Sequence, residues 1–135
     1  MNKKNESEIL TIAEVGQNHQ GDLDTALEYV RVFAAAGADV VKFQTRKNKH
    51  LFSSDAYEKE DNSHNAFADY YGQHREKLEL DPDYLPIIRD ECHKNKVKFM
   101  STPFDEPSLD LLCELGVDMI KIASFDLGNL PFFKK

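Results

Sequence analysis

The sequence predicts an α/β fold and, within that class, a TIM-type (β/α)₈ barrel of which about the first four βα units are present. Short apolar runs alternate with amphipathic helical patterns in the order βαβαβαβ along the 135 residues, which is typical of a parallel sheet with right-handed crossovers. Two of these runs are near copies with a lysine in the same position: residues 37–44 read GADVVKFQ and residues 116–124 read GVDMIKIAS. A complete barrel needs about 250 residues, so the chain has the length of half a barrel.

The first half of the pattern contains two strands and one helix. The first strand is predicted at residues 9–15, a run with β-branched side chains that ends at Gly16. A helix follows, with Asp22 as its N-cap and an apolar stripe at spacings of three and four. Gly37 is expected to end that helix, and the second strand is predicted at residues 40–44.

The second half repeats the alternation of helices and strands. Asp81 is predicted as the N-cap of the second helix, although Pro86 favours a start a few residues later. The remaining predicted elements are a strand at 97–101, a helix from Pro107 to Gly116, a strand at 119–123 and a helix from Leu130.

The two lysines favour a barrel over a flat doubly wound sheet. A lysine in a buried strand is costly unless an anionic group meets it. Alternate strands of a barrel contribute side chains to the same interior layer, so Lys42 and Lys121 would point inward at one level. In a flat sheet they would face packed helices. The pattern therefore predicts an anion site, with structural ion pairs to Asp or Glu as the alternative.

Residues 46–80 form a long polar segment between the second strand and the second helix. Connections longer than about 15 residues are usually functional or disordered. This one leaves the face where barrel active sites form, and it carries the aromatic residues Tyr57, Phe67, Tyr70 and Tyr71. Two interpretations stay open: a lid or oligomer arm, and a mobile surface insert.

Charge and composition exclude several classes of function. A net charge of −7 argues against nucleic acid and anionic membranes as partners. No run approaches the roughly 20 apolar residues of a membrane span, and residues 1–8 are not followed by a signal-peptide core, so we expect a cytoplasmic protein. The five histidines show no ligand spacing, so no metal site is expected within this chain. No glycine-rich nucleotide loop or Gly-x-Ser-x-Gly elbow is present.

Polar residues near the strand ends are the candidates for function. Glu14 could be a general base, a hydroxyl-binding group or a metal ligand, or the counter-ion of Lys42. Gln44 has the same facing as Lys42 and suits hydrogen bonding to a sugar hydroxyl or a carboxylate, or it is a satisfied amide of the rim. Thr102 and Ser124 could contact phosphate or cap helices.

Asp126 follows Ser124 by two residues. Its carboxylate could accept a hydrogen bond from a hydroxyl group of a substrate. Asp is also common in turns, so a turn residue is the other interpretation.

Four motifs, in this order, closely resemble the sialic acid synthase family: AEVGQNHQGD at 13–22, VKFQT at 41–45, STPFD at 101–105 and KIASFD at 121–126. The resemblance runs from about residue 9 to residue 135. It implies a (β/α)₈ barrel and an enzyme that condenses phosphoenolpyruvate with an open-chain N-acetylhexosamine, N-acetylmannosamine or its 6-phosphate. The products of the family are sialic acid-type nonulosonic acids, and the reaction releases phosphate.

The resemblance also implies roles for individual residues. Lys42, Thr102, Lys121 and Ser124 would hold the phosphate or carboxylate of phosphoenolpyruvate. Glu14 and Gln44 would hold the amino sugar, with Glu14 also a candidate for proton transfer. Asp126 stands where many members have glutamate, and would align or deprotonate the attacking water or sugar. A divalent metal, Mn²⁺ or Mg²⁺, is implied for the full-length family, with histidine ligands on later strands.

Residues 1–135 are accordingly expected to be the N-terminal half of such a barrel, without the antifreeze-like C-terminal domain that usually follows it. In the family that domain closes the site of a neighbouring subunit, which implies a homodimer at full length. We expect residues 1–135 to be inactive alone. Two alternatives remain: another phosphoenolpyruvate-dependent 3-deoxy sugar acid synthase, and a non-catalytic half barrel that only binds anions.

Overall fold

The structure, a computed structural model, describes residues 9–135. Residues 1–8, on which the expectation about a signal peptide depends, lie outside the described residues. In chain order the elements are β1 (Ile12–Gly16), α1 (Leu23–Ala35), β2 (Val40–Thr45), α2 (Asn48–Leu51), α3 (Ser54–Tyr57), α4 (Tyr71–Lys77), α5 (Tyr84–Lys94), β3 (Lys98–Pro103), α6 (Glu106–Leu115), β4 (Met119–Ile120), a 3₁₀ turn (Ser124–Asp126) and α7 (Leu130–Phe133). Within 9–135 no helix combines the length and the apolar character needed to cross a membrane.

The four strands form one parallel sheet in the order β1-β2-β3-β4. A strand order that follows the chain is that of a barrel, because a doubly wound sheet reverses direction at a switch point. The prediction of an α/β fold with four βα units in barrel order is therefore confirmed. The crossovers place α1 and α5 on one face of the sheet, and α6 leads from β3 to β4.

Local signals fix the ends of α1 and α6. The caps at Asp22 and Gly116 were predicted, whereas the cap at Asp105 was not, and it starts α6 at Glu106 instead of the predicted Pro107. Asp22 caps α1, since its side chain accepts a hydrogen bond of 2.7 Å from the Thr25 amide. Asp105 caps α6 in the same way through the Ser108 amide. Gly116 ends α6 with a φ of 67°, in the left-handed region that glycine adopts at little cost.

Several predicted boundaries are wrong. The helix α5 begins at Tyr84, and Asp81 is not its N-cap but instead accepts a hydrogen bond from the Asp83 amide in the preceding turn. Pro86 fits in the first turn of α5, where its missing N–H needs no partner. The strand β1 begins at Ile12 instead of residue 9.

The later strands also differ from prediction. The strand β3 runs from Lys98 to Pro103, two residues further than expected. In contrast, β4 contains only Met119 and Ile120. Among the described residues β4 pairs with β3 alone, so it has one ladder of hydrogen bonds to hold it extended instead of two.

The hydrophobic core lies between the sheet and the helices α1 and α5. Phe43 of β2 and Phe99 of β3 are fully buried and pack with their ring centroids 5.6 Å apart. Val30 of α1 and Ile88 of α5 cover them from the helical side. Successive side chains of a strand point to opposite faces, so the alternate residues of these strands occupy the other, inner face.

Residues 46–80 are not a structureless loop. They contain α2, α3 and α4, and an antiparallel bridge joins Glu60 to Tyr70. Gly72 of α4 lies so close to the ring of Tyr57 in α3 that a Cβ at position 72 would come within 2.3 Å of it. This packing makes the segment a folded insert on the carboxyl side of β2; its role as a lid or oligomer arm stays a prediction.

Candidate functional site

The inner face of the sheet carries five of the seven predicted site residues. Glu14 pairs with Lys42 in the β1–β2 ladder, and Gln44 pairs with Thr102 in the β2–β3 ladder. Ile120 pairs with Ser101, so the next residue, Lys121, follows in the row of Thr102. The Lys121 amide donates to the Ser101 carbonyl at 3.0 Å. In each strand these residues alternate with the core residues, so their side chains point to the face of the sheet opposite the core.

Along the hydrogen-bonded ladder the two lysines do not stand directly opposite each other. In a (β/α)₈ barrel the tilt of the strands and the shear of 8 shift the register by about one residue per strand, so their common interior level stays a prediction. Lys42 is level with Met100, and Met100 is level with Met119. Lys121 therefore stands two residues closer to the carboxyl ends of the strands than Lys42, and it is exposed. The two sequence copies match in their internal spacing, whereas the register is set by which residues pair across β3.

Lys42 is nearly buried and forms an ion pair with Glu14, which is exposed. This contact is the counter-ion arrangement that the sequence left open. It explains how the sheet tolerates a buried ammonium group, because a charge removed from water needs a partner. The exposed carboxylate can swing into solvent while Lys42 stays in place, so an incoming anion can exchange with Glu14.

Thr102 and Gln44 offer polar groups beside this pair. Thr102 is 2% exposed, and its hydroxyl has no hydrogen-bond partner among residues 9–135. The Gln44 amide nitrogen and the Glu14 carboxylate both border Gly16: a Cβ there would lie 3.7 Å from the Gln44 Nε2 and 3.4 Å from the Glu14 Oε1. The lack of a side chain at Gly16 thus leaves room between two predicted sugar-binding groups.

Ser124 and Asp126 lie apart from this row, on the 3₁₀ turn after β4. Ser124 is exposed, whereas Asp126 is buried and accepts a hydrogen bond of 3.1 Å from the Asn129 side chain. Asp126 lines a cavity of about 490 Å³ together with Asp105, and the described lining of this cavity includes none of the other six predicted site residues. Five of the seven predicted residues thus lie on the inner-face row, and the other two lie on the turn after β4.

A polar network that was not predicted from the sequence lies at the carboxyl ends of β1 and β2. The Arg46 guanidinium contacts the Glu79 carboxylate at 3.2 Å and also donates to the Gln44 side chain. Gln17 donates to Glu79 and accepts a hydrogen bond of 2.6 Å from Arg75. Burial raises the pKa of Glu79 to about 7 against the opposing pull of the two guanidinium groups. One sequence signal could have indicated Arg46. It follows Lys42 and Gln44 at the spacing of two that places residues on the same face of a strand.

A cavity of about 550 Å³ lies next to this network, between the folded insert and the first turns of α5 and α6. Gln44, Arg46 and Glu79 line it together with Asn48 and Ser108. Both of the latter are buried, and their side-chain polar atoms have no protein partner within the part of the chain that is described. The cavity extends the inner-face site towards the insert.

His19, in the motif at 13–22, has a structural role. It is 1% exposed and stacks on Phe43, with 6.0 Å between ring centroids. Its Nδ1 accepts a hydrogen bond of 3.0 Å from the Gly21 amide, and burial lowers its pKa to about 4. The imidazole is therefore neutral at pH 7 and holds the loop that follows β1.

A divalent metal needs several donor side chains close together. Residues 9–135 contain no group of three His, Cys, Asp or Glu side chains that could hold a metal ion. The described residues therefore do not fit a metal centre.

The fold and this face define an α/β chain of the barrel type with a polar site at the carboxyl ends of its strands. A family model described as "NeuB family" matches residues 29–135, and the chain belongs to that family.

Curated relatives support the same assignment. The N-acetylneuraminate-9-phosphate synthase of Drosophila melanogaster is 38% identical over 127 residues, which cover 94% of this chain and 34% of the relative. The N,N'-diacetyllegionaminic acid synthase of Campylobacter jejuni is 40% identical over 130 residues, which cover 93% of this chain and 38% of the relative. The resemblance to sialic acid synthases is confirmed, and the chain spans about a third of the length of these relatives.

Among solved structures, the N-acetylneuraminic acid (sialic acid) synthetase of Leptospira borgpetersenii serovar Hardjo-bovis, crystallised in complex with citrate, matches with a TM-score of 0.74. It is 29% identical, and the match covers 93% of this chain and 39% of the synthetase. The spore coat polysaccharide biosynthesis protein SpsE of Bacillus subtilis matches with a TM-score of 0.69 at 32% identity, covering 96% of this chain and 33% of that protein.

Proposed function

We propose that residues 1–135 are the N-terminal half of the barrel of an enzyme that condenses phosphoenolpyruvate with an N-acetylated amino sugar. The sugar is N-acetylmannosamine or its 6-phosphate, and the product is a sialic acid-type nonulosonic acid. The observation that carries the proposal is the inner-face row of Glu14, Lys42, Gln44, Thr102 and Lys121 at the carboxyl ends of parallel strands. The names of two relatives, which are 38% and 40% identical to this chain, support a condensation that forms a sialic acid-type product.

The phosphoenolpyruvate would lie against Lys42, Thr102, Lys121 and Ser124. Phosphoenolpyruvate carries a phosphate and a carboxylate, so it needs two cationic positions. Lys42 offers a buried ammonium group and Lys121 an exposed one two residues closer to the strand ends. The unpartnered hydroxyl of buried Thr102 can donate to a phosphate oxygen, because a buried hydroxyl gains most from a charged acceptor. The citrate-bound relative is consistent with an anionic ligand.

The amino sugar would lie on Glu14 and Gln44. When phosphoenolpyruvate takes the place of the Glu14 carboxylate at Lys42, Glu14 is released to accept a hydrogen bond from a sugar hydroxyl or to transfer a proton. Gln44 adds a neutral amide at the same height as Thr102. This arrangement places sugar and phosphoenolpyruvate side by side.

The reaction proceeds by addition and elimination. Carbon three of phosphoenolpyruvate forms a bond to the aldehyde carbon of the open-chain sugar, and the aldehyde oxygen takes a proton. Water adds to carbon two, and one of its protons passes to a carboxylate. The bond from carbon two to the phosphate oxygen then breaks, the remaining hydroxyl proton passes to the departing phosphate, and carbon two becomes the keto group. Asp126, or a base elsewhere in the complete protein, would align that water; its buried carboxylate has one oxygen without a partner in residues 9–135.

The remaining parts of the proposal concern the complete protein. A divalent metal, Mn²⁺ or Mg²⁺, would be held by histidines on later strands of the complete protein, since residues 9–135 contain no group of three potential ligands. An antifreeze-like domain would follow the barrel and complete the site of a partner subunit in a homodimer. We place the protein in the cytoplasm, where phosphoenolpyruvate is available, with no nucleic-acid or membrane partner.

The test is phosphate release from phosphoenolpyruvate with N-acetylmannosamine and Mn²⁺. The complete gene product should release phosphate, whereas residues 1–135 alone should give none above the rate without enzyme. Sequencing the transcript past the codon for Lys135 tells whether the reading frame continues through the rest of a barrel. Turnover by residues 1–135 alone would contradict the half-barrel proposal, and no turnover by a complete product would contradict the activity.

A further inference from the structure

The side-chain amide of Gln44 has a defined orientation. Its carbonyl oxygen accepts a hydrogen bond from the Arg46 guanidinium. A guanidinium group has only donors, so the amide atom that faces Arg46 must be the oxygen whichever way the amide is drawn. The amino group therefore faces the opposite way, towards the space beside Gly16 and Glu14.

Arg46 is itself held from two further directions. Its Nε lies 3.2 Å from the Glu79 carboxylate, and its guanidinium carbon lies 4.2 Å from the centroid of the Phe104 ring. The Arg46 side chain is only 9% exposed. The planar guanidinium is stacked on a ring, hydrogen-bonded through one nitrogen to Gln44 and paired through Nε with a carboxylate. A lysine ammonium cannot reproduce this combination of contacts.

The carboxylate that fixes Arg46 belongs to the folded insert. Glu79 follows α4, and its side chain is 14% exposed. Gln17, at the end of β1, donates to Glu79 and accepts from Arg75 of α4. The network thus connects the insert to the ends of β1 and β2 at the place where Gln44 enters the site.

We propose that Arg46, held by Glu79, is a positioning residue that turns the Gln44 amide so that it presents its amino group to the substrate. The inference rests on the proposed function and deepens it: the group of the amino sugar that meets Gln44 is a hydrogen-bond acceptor, an acetamido carbonyl or a hydroxyl oxygen. Glu79 itself does not contact the sugar. The insert contributes to substrate recognition because Glu79 holds Arg46, and Arg46 orients Gln44.

The variant Q44E separates this proposal from a purely structural role. A glutamate has the shape of glutamine and still offers an oxygen to Arg46, so the network persists. However, it presents an acceptor instead of a donor to the ligand. Binding of an acceptor oxygen is therefore lost in Q44E, whereas a ligand group that donates a hydrogen bond would be retained.

The orientation is tested by NMR on the ¹⁵N-labelled 135-residue chain. The Gln44 amino resonances are assigned by their loss in Q44E, and their heteronuclear NOE reports whether the amide is fixed. We expect a fixed amide in the wild type and a mobile one in R46K, R46M and E79Q. The control R31K changes an exposed arginine that also pairs with glutamates and should leave Gln44 fixed. A fixed amide in folded R46K and E79Q would overturn the proposal, and E79Q keeps the test decisive if R46M does not fold.

Ligand recognition is tested on the complete gene product and its variants by titrating N-acetylmannosamine and phosphoenolpyruvate separately. The sugar should bind about tenfold more weakly to Q44E and R46K, the effect of one hydrogen bond, while the control R31K should bind both ligands as the wild type does. Phosphoenolpyruvate affinity is not compared in Q44E, because the new carboxylate would itself repel that anion. Equal sugar affinity of Q44E and wild type would overturn the donor role. If the wild type binds neither ligand but the NOE pattern is as expected, the positioning by Arg46 stands and the proposed function fails.

Discussion

Acidification should destabilise the chain through His19. The imidazole is buried against Phe43, and its Nδ1 accepts a hydrogen bond from the Gly21 amide. Burial lowers the pKa of His19 in the folded chain from the ordinary 6.5 to about 4. Protonation would convert the Nδ1 acceptor into a donor that faces another donor, so the folded state resists it.

The size of the effect follows from this difference in pKa. Because the folded pKa lies below the unfolded one, the contribution to stability is fully present above pH 6.5 and is lost as the pH falls towards 4. Each pKa unit corresponds to about 1.4 kcal/mol, so the full loss is roughly 3 kcal/mol. Between pH 7 and pH 5 the free energy of unfolding should fall by about 2 kcal/mol through His19 alone.

The assay is urea unfolding of the wild type and of His19→Asn at pH 7 and pH 5. Carboxylates also titrate in this range, but they contribute equally to both proteins, so the difference between them isolates His19. Asparagine keeps an oxygen near the Gly21 amide and does not titrate. The difference in the free energy of unfolding between the wild type and His19→Asn should therefore be about 2 kcal/mol smaller at pH 5 than at pH 7. The exposed His64→Asn serves as control. A difference that is the same at both pH values would refute the argument.

Three further predictions concern packing and association. Gly72→Ala should destabilise the insert by about 1–3 kcal/mol in urea unfolding, because its Cβ would overlap the Tyr57 ring; an unchanged midpoint would show that the two helices are not packed as described. Phe43→Ala should cost about 3–5 kcal/mol, since Phe43 is fully buried against Phe99, and a loss below 1 kcal/mol would count against this core. The strands β1 and β4 each pair on one side only within residues 9–135, so the chain should self-associate through these edges; a monodisperse monomer in light scattering would contradict that.

The order of the elements could be predicted because its signals are local. Asp22 and Asp105 cap helices through the amides three residues further on, and Gly116 ends a helix with a positive φ. These interactions depend on neighbours in the sequence, as does the alternation that places Lys42 and Gln44 on one face. A reader of the sequence can recognise both without knowledge of the tertiary structure.

The insert could not be predicted in the same way. Its helices α2 and α3 have four residues each, which is too short for stability without tertiary contacts. The contact of Gly72 with Tyr57 packs α3 on α4, and Phe52, directly after α2, packs edge-on against Tyr71. No local pattern reveals either contact. Likewise Arg46 and Glu79 are distant in sequence, so their ion pair depends on the path of the chain between them.

The register of the last strand was also beyond the sequence. The matching copies around Lys42 and Lys121 do not reveal which residues pair across β3. The pairing of Met100 with Met119 sets Lys121 two residues beyond Lys42 along the ladder. Cross-strand register depends on packing between elements that are separated by a helix. The identity of the inner-face residues was therefore predictable, whereas their relative heights were not.

The most direct test of the central claim is calorimetric titration of phosphoenolpyruvate into the 135-residue chain and its K42M variant. Lys42 is the buried cation of the inner face, whereas Lys98 is exposed at the start of β3 and provides the control K98M. The account predicts saturable binding to the wild type and K98M, weakened about tenfold or more in K42M, because a hydrogen bond to a charged group is lost. Equal affinity of K42M and wild type, or no saturable binding to the folded wild type, would contradict it.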